Sequence, residues 1–141
     1  MMNILITVAH PDDETIGMGG TIKKLSKNNE ITLCVMTDGA SAQYDGKKMI
    51  KVRQDACKKA GKILGISKFH FLNFPDMKLD SISHVEMNKE LEKIIKKINP
   101  KILYSTSYND LNKDHQKVFE SCSVISRPIS SKIKKFLCFE M

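Results

Sequence analysis

Short apolar runs alternate with longer amphipathic stretches along the whole chain. The first run, 3–9, is rich in β-branched residues and almost continuously apolar, which is typical of a strand buried on both faces. The pattern predicts strands at 3–9, 31–37, 68–74, 101–106 and 133–139, and helices at about 15–26, 47–64, 84–99 and 114–125. Strand and helix therefore alternate from one end of the chain to the other.

The last two predicted helices carry signals for their boundaries and buried faces. Ser83 and Glu86 match a capping box at the start of the third helix, and Pro100 ends it. Apolar residues at i, i+3, i+4 and i+7 predict its buried face, which consists of Leu91, Ile94, Ile95 and Ile98. The buried face predicted for the fourth helix consists of Val118, Phe119, Cys122 and Ile125.

This order of elements predicts the fold class. Alternating strands and helices form βαβ units, and right-handed crossovers join such units into a parallel sheet with helices on both faces. We therefore expect an α/β fold with a Rossmann-like, doubly wound, mainly parallel five-stranded sheet, and the 141 residues fit a single domain, 1–141. The sequence stops at Glu140 and Met141 directly after an apolar strand, which indicates either an edge strand or a shortened form of a longer protein.

The polar residues are densest after the first and fourth predicted strands. His10-Pro11-Asp12-Asp13-Glu14 follows the first strand, and the polar loop 107–115, which ends in Asp114-His115, follows the fourth. In a doubly wound sheet the binding crevice lies at the carboxyl ends of the strands, where the strand order reverses, and in the usual order that point is between strands one and four. We therefore expect the two segments, roughly 100 residues apart in sequence, to face each other.

These residue types suit a catalytic metal. His10, His115 and one of Asp12 or Asp13 supply two imidazoles and a carboxylate, a set used by zinc with an open position for water and also by ferrous iron. Neighbouring side chains of an extended loop point in opposite directions, so one aspartate is expected to bind the metal and the other to transfer a proton.

A purely structural interpretation of the same residues is also open. Carboxylates at a helix N-terminus stabilise the helix by about 0.3–1 kcal/mol, so the His10–Glu14 segment could simply cap a helix. The Asp114-His115 pair could likewise be an N-cap followed by a surface residue. We assign no role to His70, in a predicted strand, or to His84, at a predicted helix start.

Composition and charge narrow the classes of partner. A hydrophobic fraction of 41% with 28% charged residues is ordinary for a globular protein and excludes a largely disordered chain. The 23 basic residues outnumber the 16 acidic ones, and the resulting charge of +7 favours anionic partners. The lysine pairs at 23–24, 47–48, 58–59 and 96–97 are nevertheless expected on solvated helix faces. The chain lacks RNA-type aromatic motifs, so we expect no nucleic acid partner.

Cysteine usage and hydropathy predict the cellular compartment. The four cysteines form no CxxC pair and lie among apolar residues, which indicates reduced, buried thiols. No apolar run approaches the ~20 residues that cross a bilayer, and the run at 4–9 has no basic segment before it. We therefore expect no membrane span, no signal peptide and a cytoplasmic protein.

The glycines at 17, 19 and 20 fit close packing of the first helix better than a dinucleotide fingerprint.

Several motifs together resemble one known family, the PIG-L/LmbE-like zinc-dependent N-deacetylases of the N-acetylglucosaminyl deacetylase type. The resemblance begins with His10-Pro11-Asp12-Asp13-Glu14 and Gly17-Met18-Gly19-Gly20-Thr21-Ile22, continues through Thr37-Asp38-Gly39, Arg53, Leu64-Gly65-Ile66, Phe74-Pro75-Asp76 and Leu79-Asp80, and ends with 109–115, Arg127-Pro128 and Phe139-Glu140. It covers essentially the whole chain. The combination of the opening motif with an Asp-His pair at this distance downstream is a specific signature of the family.

The resemblance implies a set of site residues. By it, His10, Asp13 and His115 bind Zn2+, and Asp12 is the general base. Asp114 is implied as a polar catalytic group beside the metal that orients a ligand or the proton relay. Asn112 and Arg53 are expected to bind substrate. Asn112 stands where many relatives carry a histidine that helps to stabilise the oxyanion, and an amide there can still donate a hydrogen bond.

The same resemblance implies the reaction. We expect a carbon–nitrogen hydrolase acting on a linear amide: zinc-bound water attacks the acetyl carbonyl of an N-acetylated amino sugar, releasing acetate and a free amine. The charge of +7 favours a phosphorylated or nucleotide-linked form of that small-molecule partner. Assembly of several copies of the chain into a homo-oligomer is also a candidate.

The length of the chain suggests a second hypothesis. Relatives of this type generally continue beyond the segment equivalent to Phe139-Glu140, so we expect a C-terminally short form. Without the usual C-terminal region, the chain could be a catalytically weak or inactive module that binds metal or a sugar nucleotide. The two hypotheses differ in whether the chain releases acetate.

Overall fold

A computed structural model describes residues 1–44, 47–129 and 131–141 of the chain. The strands are β1 (Asn3–Val8), β2 (Glu30–Thr37), β3 (Lys68–Phe74), β4 (Ile102–Thr106) and β5 (Lys135–Phe139). The helices are α1 (Asp13–Leu25), α2 (Lys47–Leu64), α3 (His84–Ile98) and α4 (Lys113–Ile125), with a short 3₁₀ turn at Leu79–Ser81. The bounds of α2 and β3 are those predicted from the sequence, and the other bounds shift by one or two residues.

The five strands form one sheet in the order β3-β2-β1-β4-β5, and every neighbouring pair is parallel. β1 lies between β2 and β4, with Ile4 opposite Ile102 and Thr7 opposite Ser105 in the register of the second pair. The strand order therefore reverses between β1 and β4, as predicted for a Rossmann-like, doubly wound sheet. The loops that follow these two strands leave the same edge of the sheet side by side.

Two apolar clusters cover the two faces of the sheet. One contains Leu5 and Leu103 with the apolar faces of α3 and α4, and the other contains Ile6 and Leu33 with residues of α1 and α2. β1 is buried on both sides, which explains its nearly continuous apolar sequence. The segment of backbone that carries the first polar motif thus follows directly from a strand that is buried on both faces.

Two predictions about α3 and α4 need correction. Ser83 is the N-cap of α3, but it makes no side-chain cap hydrogen bond, so the predicted capping box with Glu86 is not formed. The helix is instead held by burial of Met87, Leu91, Ile94 and Ile95. In α4 the buried face is as predicted except that Phe119 is only partly buried and lies against Tyr108 and Phe136.

The surface residues mostly match the sequence-based expectation. The lysines at 23, 24, 47, 48, 59, 96 and 97 are exposed, whereas Lys58 is half-buried with Nζ 5.4 Å from the centroid of the Phe71 ring. His84 is exposed at the start of α3, and His70 lies within β3.

A Cβ on Gly17 would lie 2.4 Å from Phe139, so this glycine permits the close approach of α1 and β5. Among the described helices, none combines the length and apolar character needed to cross a bilayer.

All four cysteines are free thiols, and they differ in exposure. Cys34, Cys57 and Cys122 are buried, and Cys138 is exposed on β5. Burial raises the pKa of Cys122 to about 12, and it also raises the pKa of Cys34, Cys57 and Cys138. Burial was therefore predicted correctly for three of the four.

This difference predicts how the native protein reacts with a thiol reagent such as DTNB at about pH 8. One thiol, that of Cys138, is expected to react rapidly, because a reagent cannot reach the three buried sulfurs without local unfolding. Four thiols should react after denaturation, and Cys138→Ser should remove the rapid phase. Two or more rapid thiols in the native wild type would contradict the packing described here.

Candidate metal centre

The loop after β1 folds so that its two aspartates face different surroundings. The carbonyl of His10 accepts the N–H of Asp12 at 2.9 Å, and the N–H of His10 donates to Asp13 Oδ2 at 2.8 Å. Asp13 is consequently turned inward and is 3% exposed, whereas the side chain of Asp12 is 48% exposed. Asp12 occupies the N-cap position of α1 without a side-chain cap hydrogen bond, so its carboxylate does not serve the helix.

The loop after β4 positions His115 by a separate set of hydrogen bonds. Asn112 is the N-cap of α4, and its Oδ1 accepts the N–H of Asp114 at 2.9 Å. Asp110 Oδ1 accepts the N–H of Asn112 at 2.9 Å, and Thr106 Oγ1 donates to the carbonyl of His115 at 2.9 Å. His115 is 3% exposed, so the interpretation of this residue as a surface residue after a cap is wrong.

Three donor atoms from the two loops converge on one point. His10 Nδ1 lies 3.2 Å from His115 Nε2, His115 Nε2 lies 3.3 Å from Asp13 Oδ2, and Asp13 Oδ2 lies 3.5 Å from His10 Nδ1. Asp13 and His115 are buried, and the side chain of His10 is 12% exposed. The structure thus brings together two imidazoles and one carboxylate, as the sequence predicted.

The size of this triangle fits a zinc ion. Zinc binds nitrogen and carboxylate oxygen at about 2.0–2.1 Å in tetrahedral sites, which places neighbouring ligand atoms about 3.3–3.4 Å apart. The three observed separations, 3.2, 3.3 and 3.5 Å, lie within about 0.1 Å of this range. Three protein ligands leave the fourth tetrahedral position for water or substrate. The described donor set therefore fits a catalytic zinc centre.

Two further carboxylates contact the ring nitrogens of His10 and His115 that are not part of the triangle. Asp114 Oδ2 lies 3.0 Å from His10 Nε2, and Asp110 Oδ2 lies 2.7 Å from His115 Nδ1. A carboxylate is an acceptor, so each places a hydrogen on the nitrogen that it contacts. In the neutral rings the lone pairs are then on His10 Nδ1 and His115 Nε2, the two atoms that face Asp13.

The charges of this cluster favour a cation. Burial lowers the pKa of His10, but hydrogen bonds to Asp114 and Asp13 raise it to a net value of about 10. Burial raises the pKa of Asp13, but hydrogen bonds to His10 and His115 lower it to about 2. Without metal, the carboxylates are thus balanced by protons on the imidazoles, and a divalent cation can replace those protons.

A second group of donors overlaps the first. His10, Asp76 and Asp114 also bring three potential ligand atoms together, with His10 Nε2 3.4 Å from Asp76 Oδ1. Both oxygens of Asp114 already accept backbone N–H groups, from Met77 at 2.8 Å and from Leu79 at 3.0 Å. We therefore interpret Asp114, which is 1% exposed, as a residue that orients His10.

A cavity of about 240 Å³ opens beside His10. Asp12, Arg53, Asp76 and Asn112 contribute to its lining. Arg53 reaches from α2 and donates from Nη2 to Asp12 Oδ2 at 3.1 Å. Asn112 uses Oδ1 in the helix cap, and its Nδ2, which lies 3.8 Å from Met77 Sδ, is the donor end of the amide. Other cavities of the described chain include one of about 380 Å³ at the amino ends of the strands, remote from this donor set.

One glycine is required where the β1 loop meets the loop after β2. Gly39 has φ +67, in the left-handed region, and a Cβ there would lie 2.3 Å from Pro11 Cδ. A side chain at this position would therefore displace Pro11 and the adjoining Asp12. This contact explains why Thr37-Asp38-Gly39 belongs with the candidate site although Gly39 supplies no functional group.

Asp76 and Asp110 lie at the site but were assigned no role from the sequence. Asp76 follows β3 and is 5% exposed; burial raises its pKa, and the charge of His10 opposes that rise. Asp110 lies five residues before His115 in the polar loop. The position of Asp76 just after a strand was the available signal, since carboxyl ends of parallel strands share one edge.

Known proteins resemble this chain in sequence and structure. The family model described as PIG-L, GlcNAc-PI de-N-acetylase, matches residues 5–125. Diacetylchitobiose deacetylase of Thermococcus kodakarensis is 35% identical over 105 residues, which are 71% of this chain and 39% of that protein. The probable N-acetyl-alpha-D-glucosaminyl L-malate deacetylase 2 of Bacillus anthracis is 26% identical over 111 residues, 73% of this chain and 49% of that protein.

A solved structure gives the same picture. N,N'-diacetylchitobiose deacetylase from Pyrococcus horikoshii has a TM-score of 0.78 and 30% sequence identity, covering 93% of this chain and 52% of that chain. The chain thus spans about half, or less, of the length of these three relatives. The range matched by the family model, 5–125, contains both loops of the candidate metal centre.

Proposed function

This chain belongs to the PIG-L family, and we propose that it is a zinc-dependent hydrolase that removes the N-acetyl group from an N-acetylated amino sugar or its conjugate. The observation that carries the proposal is the triangle of His10 Nδ1, Asp13 Oδ2 and His115 Nε2, whose sides of 3.2, 3.3 and 3.5 Å suit zinc. One relative is named as a deacetylase of diacetylchitobiose and another as a probable deacetylase of N-acetyl-alpha-D-glucosaminyl L-malate, which supports the substrate class.

His10, Asp13 and His115 would hold the zinc. When bound there, zinc lowers the pKa of water to roughly 7 and polarises an amide carbonyl. Asp114 acts as a positioning residue for His10 through the 3.0 Å contact with Nε2, and it has no exposed surface with which to touch a substrate. Of the two roles that the resemblance implied for Asp114, orienting a metal ligand or the proton relay, this proposal takes the first.

Asp12 is the general base in this proposal. Its carboxylate lines the cavity beside His10, and it is free of the metal triangle and of the helix cap. Asp12 takes a proton from the attacking water as the oxygen bonds to the acetyl carbon, and it returns that proton to the leaving nitrogen as the C–N bond breaks. The products are acetate and a free amine.

Asn112, Arg53 and Asp76 would bind the substrate. Asn112 Nδ2 donates to the carbonyl oxygen, where negative charge develops, with the amide orientation fixed by the helix cap on Oδ1. Arg53 lines the cavity and holds Asp12 at 3.1 Å, so it orients the base as well as facing the sugar. The buried carboxylate of Asp76 is an acceptor for a sugar hydroxyl.

The charge of +7 leads us to propose an anionic conjugate, phosphorylated or nucleotide-linked, as the preferred form of the amino sugar. The test compares neutral N,N'-diacetylchitobiose with N-acetylglucosamine 1-phosphate and UDP-N-acetylglucosamine. Acetate and primary amine are measured in parallel with the zinc-loaded chain.

We expect acetate and amine in equal amounts, and a higher kcat/KM for the anionic substrates that falls as salt is added. Zinc binding without acetate from any of the three substrates would contradict the proposed hydrolase and support the binding-module hypothesis. Equal kcat/KM values for neutral and anionic substrates would contradict only the preference for an anion.

A further inference from the structure

We propose that Asp110 is a positioning residue of the metal centre, which holds the His115 ring so that Nε2 faces Asp13 and His10. The inference rests on the proposed function, because it presupposes that the three-residue triangle binds zinc. Nothing in the sequence patterns or in the names of the relatives assigns a role to this residue. Its carboxylate lies 2.7 Å from His115 Nδ1, the shortest of the contacts described around the two histidines.

The contact selects one tautomer of the ring. A carboxylate accepts hydrogen bonds, so Asp110 Oδ2 requires the hydrogen on His115 Nδ1. The lone pair is then on Nε2, which is the atom 3.3 Å from Asp13 Oδ2 and 3.2 Å from His10 Nδ1. The opposite tautomer would direct an N–H group at the place where the metal binds.

Asp110 is itself held rigidly. Its Oδ1 accepts the N–H of Asn112 at 2.9 Å, and its carbonyl oxygen accepts Gln116 Nε2 at 2.6 Å. The two carboxylate oxygens thus have two different partners, one in the loop and one in the ring of His115. This arrangement links the loop conformation to the orientation of His115.

An asparagine at this position tests the inference because it has nearly the same shape but only one oxygen. If that oxygen keeps the bond to the N–H of Asn112, the amide NH2 faces His115 Nδ1 and favours the wrong tautomer. Asp110→Asn is therefore expected to weaken zinc binding by about 10–100-fold, the range for outer partners of metal-ligating histidines.

The measurement is the zinc dissociation constant, obtained by competition with a chromogenic chelator. The matched control is Glu120→Gln, which removes one negative charge from α4, the helix that carries His115; Glu120 pairs there with Lys117. The control should bind zinc as the wild type does. The thermal unfolding midpoint of each zinc-free protein is measured as well. If Asp110 only stabilises the loop, its replacement lowers that midpoint and leaves the zinc dissociation constant unchanged.

A spectroscopic readout separates ring orientation from loop stability. In ¹⁵N-labelled, zinc-loaded wild type, the Nδ1–H of His115 and the Nε2–H of His10 should appear as two downfield, hydrogen-bonded imidazole signals. Asp110→Asn should shift or remove the His115 signal and leave the His10 signal in place. Asp110→Glu, which restores a carboxylate, should recover part of the zinc affinity.

The outcomes distinguish this inference from the proposed function. Zinc binding in the wild type with an unchanged constant in Asp110→Asn would overturn the role of Asp110 alone. A wild type that binds no zinc would overturn the proposed function and this inference together. A lowered thermal midpoint with unchanged zinc affinity would show a structural role only, and that result also overturns the inference.

Discussion

Exchange of Asp12 for asparagine is expected to lower kcat for deacetylation by about 10²–10⁴-fold while zinc remains bound. The amide keeps the shape of the side chain and the ability to accept from Arg53, but it cannot take a proton from water. Zinc should stay, because Asp12 is not one of the three converging donors and its side chain is 48% exposed in the cavity. Steady-state kinetics and zinc content on the same preparation measure both quantities.

The matched control for this variant is Asp55→Asn on α2. Asp55 is an aspartate whose hydrogen bond to Lys51 lowers its pKa, and it lies outside the candidate site. Its replacement should leave kcat and zinc content unchanged. Wild-type kcat in Asp12→Asn would show that another group is the base. Loss of zinc from Asp12→Asn would instead show that this carboxylate is a ligand.

Exchange of His115 for alanine is expected to remove both zinc and activity. His115 Nε2 is one of three protein donors, and its loss leaves two donors from the β1 loop alone. The affinity for zinc should fall by more than about 100-fold, beyond the effect of an outer partner, and acetate release should fall to background. Elemental analysis after dialysis against zinc gives the metal content.

His84→Ala is the control for a lost imidazole, because His84 is exposed at the start of α3. It should keep zinc and activity at the wild-type level. Circular dichroism of the zinc-free proteins shows whether His115→Ala still folds. A folded His115→Ala chain that kept wild-type zinc content would place the metal elsewhere and would refute the proposed ligand set.

The meeting of the two loops could be predicted because it follows from topology. β1 and β4 are adjacent in any sheet with this strand order, so the segments that carry His10 and His115 leave the same edge of the sheet side by side. Different orientations of Asp12 and Asp13 were also predicted, but from the alternation of an extended chain. The segment is instead a turn, in which the carbonyl of His10 accepts the N–H of Asp12. The sequence did not decide which of the two turns inward, and the N–H of His10 bonded to Asp13 decides it.

The outer partners of the histidines could not be predicted in the same way. Asp110 reaches His115 only because the loop bends back through the hydrogen bond to the N–H of Asn112. Asp76 reaches the cavity from the end of β3, two strands away from β1, through a loop whose path no periodic pattern describes. Such contacts depend on single hydrogen bonds in irregular backbone rather than on the alternation of elements.

Local rules also failed where tertiary packing replaced them. Ser83 and Glu86 have the spacing of a capping box, yet α3 begins without the side-chain bond. The buried residues of α3 pack with β1 and α4 in one apolar cluster and hold the helix instead. At α4 the cap is formed by Asn112, one of the residues expected to bind substrate, and the same bond fixes which end of its amide can donate.

The most direct test of the metal centre is X-ray absorption at the zinc K-edge on the zinc-loaded wild-type chain. The account predicts about one zinc per chain with only nitrogen and oxygen neighbours at about 2.0–2.1 Å and the outer-shell scattering of two imidazoles. The four cysteines supply the alternative, since zinc–sulfur bonds are longer, at about 2.3 Å. Sulfur in the first shell, or a chain that binds no zinc, would contradict a centre built from His10, Asp13 and His115.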